Sequence, residues 1–175
     1  DPELLRRFPL PRHPDDSDKE DRGRALIVAG SRQLPGAAVL AGIGALRAGA
    51  GKLQIATAES VAVPLGVAVP EARVIGCAEN ADGCLAEGAI QPLLGWAAGA
   101  QAMMVGSGLR HGPALDHFLQ ALIASGLDMP LILDAAALQS LPDGSARPKD
   151  RSGSTILLPH AREMARLLGC RNDEV

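Results

Sequence analysis

The chain has 175 residues, a net charge of −3 at pH 7 and a hydrophobic content of 47%, which fits one packed domain and argues against disorder. It contains two Phe, one Trp and no Tyr, and its basic residues are spread along the sequence, so we expect no nucleic-acid partner. No apolar run reaches the length of a bilayer span, so we also expect no membrane partner.

The segment 9–24, PLPRHPDDSDKEDRGR, combines proline and charge without any periodicity. We interpret residues 1–23 as an exposed lead-in and residues 24–175 as a single α/β domain. The opening residues DPELLRRF do not build the apolar stretch of a secretory leader. Three cysteines, odd in number and without metal-ligand spacing, make disulfides and a zinc site poor hypotheses. We therefore expect a cytoplasmic protein.

The first βα unit carries the strongest local signal. An apolar strand at 25–29 ends at Gly30, and the loop to Gly36 leads into a helix rich in Gly and Ala, followed by a strand at 52–57. So many small residues let the helix approach either the sheet or a ligand closely. The free backbone N–H groups of residues 36–38 form a candidate seat for a phosphate or another polar group. Tight helix–sheet packing is the alternative explanation.

The remaining elements continue the alternation of strands and helices. Apolar runs predict further strands at 73–77, 102–105, 130–133 and 155–158. Helical spacing predicts a weak helix at 59–68 that Pro64 breaks, and helices at 85–98, 113–125 and 161–168, the last closed by Gly169.

Six strands alternating with helices predict a doubly wound, mostly parallel sheet with helices on both faces. Ligands of such sheets bind at the carboxyl ends of the strands. Polar or Gly-rich loops follow the strands at 31–36, 106–112, 134 and 159–160. We therefore expect the ligand site at this edge of the sheet.

The sequence argues against two nucleotide-binding motifs. The segment 49–52, GAGK, has Leu46 where a P-loop needs Gly and Leu53 where it needs Ser or Thr, and it runs from helix to strand. The turn after Gly30 lacks GxGxxG, and no acidic residue ends the second strand near Thr57, which argues against a Rossmann dehydrogenase.

Three polar residues near strand ends leave alternatives open. His160 either hydrogen-bonds a ligand or is a surface histidine, and Glu163 is expected to cap the following helix rather than to bind metal. Asp134 either holds a water or magnesium ion or caps the next helix, and capping is the commoner role. No metal site and no nucleophile–base arrangement follow from the spacing.

Five ordered segments resemble the NAD(P)H-hydrate dehydratase family of nicotinamide-nucleotide repair enzymes, which have a ribokinase-like fold. The matching pieces are AGSRQLPGAAVLAGIGALRAGAG at 29–51, VPE at 69–71, VGSGLR at 105–110, ILDAAAL at 132–138 and LLPHAREMARLLG at 157–169. The resemblance implies that hydrated NADH or NADPH loses water at the expense of ADP or ATP with Mg²⁺. Phosphorylation of the added hydroxyl turns it into a leaving group.

Carried over by position, the family's substrate contacts are Ala37, Gly108 and His160. This chain departs from the usual family pattern, which has Pro at Ser107, Asp at Ala136 and Pro-Gly at residues 161–162. Such changes would alter affinity or specificity.

The resemblance also implies a homo-oligomer, possibly a tetramer. Family members continue into a segment with a Lys-Gly nucleotide-binding motif and a GTGD-type turn whose Asp is the catalytic base, and this sequence ends at Val175 before either. We therefore expect no catalytic residue in these 175 residues and no activity from them alone. The alternatives are a ribokinase-like kinase of a vitamin precursor and a catalytically incomplete nucleotide-binding module.

Overall fold

One parallel sheet organises the molecule. The computed structural model describes residues 2–7, 14, 16–141 and 151–175, so much of the predicted lead-in (1, 8–13 and 15) lies outside the described residues. The strands are β1 (Arg24–Val28), β2 (Lys52–Ala58), β3 (Ala72–Cys77), β4 (Ala102–Val105), β5 (Leu131–Leu133) and β6 (Thr155–Leu157). They pair in the order β3-β2-β1-β4-β5-β6, and every pair is parallel. The predicted doubly wound α/β fold is confirmed.

Helices cover both faces of this sheet. They are α1 (Pro2–Arg7), α2 (Pro35–Arg47), α3 (Glu59–Ala68), α4 (Ile90–Ala97), α5 (Pro113–Ala124), α6 (Ala136–Gln139) and α7 (Ala161–Leu168). Successive strand residues point to opposite faces, so Ile27 of β1 packs in a core with α2 and α3, whereas Leu26 and Val28 pack in a second core with α4, α5 and α6. A strand that is buried on both faces explains the continuous apolar run. In the described part of the chain, no helix is long and apolar enough to cross a membrane.

The prediction that Pro64 breaks its helix is wrong. Helix α3 runs without interruption from Glu59 to Ala68 with Pro64 inside it. Proline removes one N–H, which would have bonded the carbonyl of exposed Ser60 one turn earlier. Val61 and Leu65 are buried, and their packing outweighs that single lost hydrogen bond.

The helix predicted at 85–98 begins later than expected. Residues Glu87–Ala89 form a 3₁₀ turn, and the α-helix starts at Ile90. Leu85 instead pairs in an isolated antiparallel bridge with Glu79. A start at Ile90 puts Pro92 in the first turn, where its missing N–H costs no helical hydrogen bond.

An apolar row crosses the sheet on the α2 side and becomes more exposed towards the β6 edge. Ile27, Met104, Ile132 and Ile156 lie side by side in register on β1, β4, β5 and β6. Ile27 is 2% exposed, Met104 and Ile132 are partly buried, and Ile156 is 50% exposed. A groove of about 340 Å³ lies beside α2 over β4 and β5. The sheet therefore presents an open apolar face between α2 and the β6 edge.

Candidate functional site

The turn between β1 and α2 lies at the centre of the sheet edge that the carboxyl ends of the strands form. Gly30 has φ +78°, and α2 begins with Pro35 after Leu34, whose side chain makes no capping hydrogen bond. The start of α2 therefore presents uncapped backbone and the positive end of a helix dipole. Strand order reverses between β1 and β4, so this turn lies at the switch point where doubly wound sheets bind ligands.

The loop after β4 packs directly on that turn. The backbone N–H of Gly30 donates to the Ser107 carbonyl at 2.8 Å. Gly108 has φ +69°, and a Cβ atom there would lie 2.5 Å from Ala37 Cβ and 2.8 Å from the Leu34 carbonyl oxygen. The structure therefore brings Ala37 and Gly108, two of the three predicted substrate contacts, against each other.

Two buried hydroxyls lie near the same turn. Ser31 is 1% exposed and Thr57 is 0% exposed, and neither side-chain oxygen has a hydrogen-bond partner within the described residues. A Cβ atom at Gly30 would lie 3.0 Å from Thr57 Oγ1. Buried polar atoms are normally satisfied. A polar ligand group bound at the start of α2 would give these two hydroxyls a hydrogen-bond partner.

Asp134 plays a different part from the expected cap. The helix-capping position of α6 is occupied by Ala135, which makes no side-chain capping bond, so the prediction that Asp134 caps this helix is wrong. The Asp134 carboxylate accepts a hydrogen bond from Ser107 Oγ at 2.5 Å instead. That bond ties the loop after β4 to the end of β5.

Ala135 is the feature that sequence reasoning missed entirely. Its φ of +47° is the only positive value among the described non-glycine residues. Left-handed backbone at a residue with a Cβ is strained and tends to occur at functional sites. Nothing in the local sequence signals it, because Ala135 lies in a run of alanines.

His160 follows β6 at the same edge of the sheet but lies apart from Ala37 and Gly108, the other two predicted substrate contacts. With strands about 4.8 Å apart, β6 is roughly 10 Å from β4. The residue caps α7: Glu163 N–H donates to His160 Nδ1 at 3.4 Å, and His160 N–H donates to Glu163 Oε2 at 3.0 Å. The expected capping role of Glu163 is confirmed. The imidazole is 64% exposed and its Nε2 lies 3.5 Å from Glu163 Oε1, so it combines contacts to Glu163 with a surface open to ligand.

A charged network joins two further loops of this edge. Arg32, just after the β1 turn, pairs with Glu79 beyond β3 and donates to the Ala81 carbonyl at 3.0 Å. Ser60 Oγ donates to the same carboxylate at 2.8 Å. Hydrogen bonds from Arg32 first, and from Ser60 second, hold the pKa of Glu79 below its usual value. The network fixes the wall of the site on the β3 side.

The potential metal-binding side chains of the described residues do not form a metal centre. Among the described residues, no three His, Cys, Asp or Glu side chains lie close enough to share an ion. We therefore assign none of the described residues to Mg²⁺.

A family model described as NAD(P)H-hydrate dehydratase matches residues 25–174. The chain belongs to the NAD(P)H-hydrate dehydratase family. The matched range includes β1 from its second residue, all of β2 to β6, and every loop of the candidate site. The resemblance seen in the sequence motifs is thereby confirmed.

Known members of the family are similar over nearly the whole chain. The chain is 44% identical over 169 residues to the ADP-dependent (S)-NAD(P)H-hydrate dehydratase of Xanthomonas campestris pv. campestris, covering 94% of this chain and 54% of that protein. It is 40% identical over 176 residues to the enzyme of that name from Bacillus subtilis, covering 97% of this chain and 55% of the relative. The chain therefore spans about half the length of the curated relatives it matches.

Solved structures agree on the fold. The ADP/ATP-dependent NAD(P)H-hydrate dehydratase of Bacillus subtilis, co-crystallized with ATP and Mg²⁺, superposes with a TM-score of 0.73 at 33% identity, covering 96% of this chain and 55% of that one. A ribokinase-like superfamily protein from Enterococcus faecalis superposes with a TM-score of 0.76 at 23% identity, which supports the fold alone.

Proposed function

We propose that this chain forms the substrate-binding part of an ADP-dependent (S)-NAD(P)H-hydrate dehydratase. The observation that carries the proposal is the contact between Ala37 and Gly108 at the switch point of a chain 44% identical to an enzyme of that activity. Hydrated NADH or NADPH is the substrate, and ADP, or ATP in its place, is the phosphoryl donor. Restoring the cofactor by removal of water is a metabolite-repair reaction of the lyase class.

The residues of the edge have separate tasks in this reaction. Gly108 and Ala37 carry little side chain, so their backbone can approach the polar groups of a dinucleotide closely. The exposed imidazole of His160 offers a side-chain hydrogen bond to the substrate. The Arg32–Glu79 pair and the Ser107–Asp134 bond act on these groups indirectly by holding the loops.

The chemical step needs groups beyond these side chains. Transfer of the terminal phosphoryl group of ADP to the added hydroxyl leaves AMP. Loss of a proton from the neighbouring carbon then expels inorganic phosphate and forms the double bond of NAD(P)H. We propose that the base for that proton, and the nucleotide and Mg²⁺ contacts, belong to the part of the relatives that these 175 residues do not cover.

The open apolar face is consistent with such an additional segment. Relatives of this family are about twice as long as this chain, and the apolar row runs from buried Ile27 through partly buried Met104 and Ile132 to exposed Ile156. Burying this face would be favourable at about 25 cal/mol per Å² of apolar surface. We propose that in the complete enzyme further polypeptide covers it.

We also propose a cytoplasmic homo-oligomer, possibly a tetramer. Three free cysteines fit a reducing compartment. Leu40 on α2 and Val63 and Val67 on α3 are each more than 70% exposed, and exposed apolar side chains of this size favour association. Light scattering coupled to size exclusion tests the oligomer, and a monomer at micromolar concentration would contradict it.

Binding of the hydrated nucleotide tests the substrate assignment. Titration calorimetry of the complete protein with (S)-NADPH hydrate should give a binding constant that His160→Ala weakens about tenfold, the value of one lost hydrogen bond to a charged or polar ligand group. His160→Ala also removes the cap of α7, which costs about 1 kcal/mol of stability. His160→Asn keeps a capping acceptor and separates the two effects.

The outcomes are distinct. His160→Asn should retain stability and still bind the hydrate weakly. Wild-type affinity in His160→Asn would remove the imidazole from the substrate site. Binding of a vitamin precursor without binding of the hydrate would favour the alternative small-molecule kinase.

A further inference from the structure

A second cavity, of about 630 Å³, opens at the edge of the sheet opposite the candidate site. It lies where β1, β2 and β3 begin, beside the end of α4. Its volume is in the range of sites that hold small molecules. Its charged and aromatic lining residues are Lys19, Arg24, Lys52, Glu71, Arg73 and Trp96.

Three cations reach this cavity from three adjacent strands. Arg24 lies directly opposite Lys52, and Arg73 lies opposite Gln54, two residues along β2 from Lys52. Alternation along the strands puts all three cations on the α4 face of the sheet, together with Leu26 of that core. Like charges opposite one another on neighbouring strands are destabilising. The arrangement therefore has an energetic cost that a bound anion would remove.

The contacts that these three cations make hold them at the wall of the cavity. Arg24 Nη1 donates to the Gly99 carbonyl at 2.9 Å, and the Arg73 guanidinium lies 4.4 Å from the centroid of the Trp96 ring. A carbonyl and an aromatic face orient a guanidinium without neutralising it. Lys52 pairs with Glu20.

The charge balance at the cavity is positive. Four lining side chains are cationic and one, Glu71, is acidic, in a protein whose net charge is −3. Glu20 and Asp18 lie close to Lys52 and offset part of this positive charge. Arg and Lys are the preferred partners of phosphate oxygens, because they form charge-assisted hydrogen bonds.

We propose that this cavity is a binding site for a small ligand bearing two or more phosphate groups, distinct from the hydrated-nucleotide site at the opposite edge. The phosphates would contact Lys52 and Arg24 and reach Arg73 beside Trp96. Inorganic polyphosphates and nucleoside di- or triphosphates share this chemistry. The spread of the basic residues along the sequence conceals the cluster, which the parallel register assembles.

Trp96 provides a direct readout, because it is the only tryptophan of the 175-residue chain, which has no tyrosine. Titration of the complete protein with inorganic tripolyphosphate should give a saturable change in emission that a Trp96→Phe variant lacks. Lys52→Gln leaves Arg73 on the indole and should weaken binding about tenfold, as expected for one lost charge-assisted contact. Arg162→Gln, on exposed α7, is the matched control and should bind as the wild type does.

Glu20→Gln should have the opposite effect on tripolyphosphate binding. It frees Lys52 from its acidic partner and should tighten binding by about threefold, the size of a surface ion pair. Because it removes a charge without exposing the core, it keeps the test informative if Lys52→Gln folds poorly. Thermal unfolding of each variant without ligand checks the fold.

A parallel titration with ATP separates the two sources of phosphate. Tighter binding of ATP than of tripolyphosphate would indicate a nucleotide ligand, and equal binding would indicate a phosphate-only site; either supports the proposal. It is overturned if millimolar tripolyphosphate leaves the emission unchanged, or if Lys52→Gln and Arg162→Gln bind equally. Binding of a long polyanion such as RNA without binding of tripolyphosphate would also overturn it.

Discussion

Substitution of Gly108 tests the close packing of the β4 loop on the start of α2. An alanine there must adopt φ +69°, which costs about 1–2 kcal/mol for an L-residue. Its Cβ would also lie 2.5 Å from Ala37 Cβ and 2.8 Å from a backbone oxygen, and overpacking of this kind costs about 1–3 kcal/mol. We therefore expect Gly108→Ala to lower the free energy of unfolding by about 2–5 kcal/mol, a large part of a typical total of about 5–15 kcal/mol.

Gly126 is a matched control for the backbone term. It has φ +71°, and a Cβ atom there would meet nothing within 4 Å. Gly126→Ala should therefore cost only the conformational term of about 1–2 kcal/mol. Urea unfolding of both variants at an unchanged m-value isolates the steric clash as their difference.

A double variant identifies the atom responsible. Ala37→Gly combined with Gly108→Ala removes the Cβ–Cβ clash and should recover part of the lost stability, since the Leu34 carbonyl still lies close. Equal losses in Gly108→Ala and Gly126→Ala, or no recovery in the double variant, would refute the reasoning.

Three further predictions concern side-chain interactions. Ser107→Ala removes the hydroxyl that donates to Asp134 and should cost about 1–2 kcal/mol in urea unfolding, and unchanged stability would show that the bond is not needed to hold the loops. Burial, and then the charge of Glu59, raises the pKa of Cys77 to about 11 from 9.0, so the stability contributed by its neutral thiol should be present below pH 9 and fall by about 2–3 kcal/mol as the pH rises through 11. The same pH slope in Cys77→Ala would contradict this assignment. The lowered pKa of Glu79 contributes stability above its ordinary pKa of 4.5 that is lost as the pH falls, so Glu79→Gln should show a shallower acid-side decline than the wild type.

Local patterns predicted the fold well, because a strand that is buried on both faces appears in the sequence as a continuous apolar run and a tight turn appears as glycine. The run around Ile27 and the glycine at Gly30 predicted a parallel strand and its turn, and the structure places both at the centre of the sheet. The capping role of Glu163 on α7 was equally readable, because capping depends on residues three positions apart, whereas His160 was not predicted as its capping partner. Pro64 was misjudged, since burial of Val61 and Leu65 outweighs a local propensity.

Features that depend on long-range register could not be read from the sequence. The Ser107–Asp134 bond joins residues that follow two different strands, and Asp134 was expected to interact locally. The strained backbone of Ala135 has no residue-type signal. The basic cluster of Arg24, Lys52 and Arg73 exists only because three parallel strands begin at one edge.

The most direct test of the proposed dehydratase is the regeneration of NADPH from its (S) hydrate by the complete protein. Hydration removes one ring double bond, so NADPH absorbs at longer wavelength than its hydrate, and the absorbance in the long-wavelength band of NADPH reports turnover. We predict that the absorbance rises only when ADP or ATP is present, and that Gly108→Val abolishes this rise. With ADP as the phosphoryl donor, AMP and phosphate should be released in equal amounts. No increase with either nucleotide, from a protein that folds and binds the hydrate, would contradict the assignment.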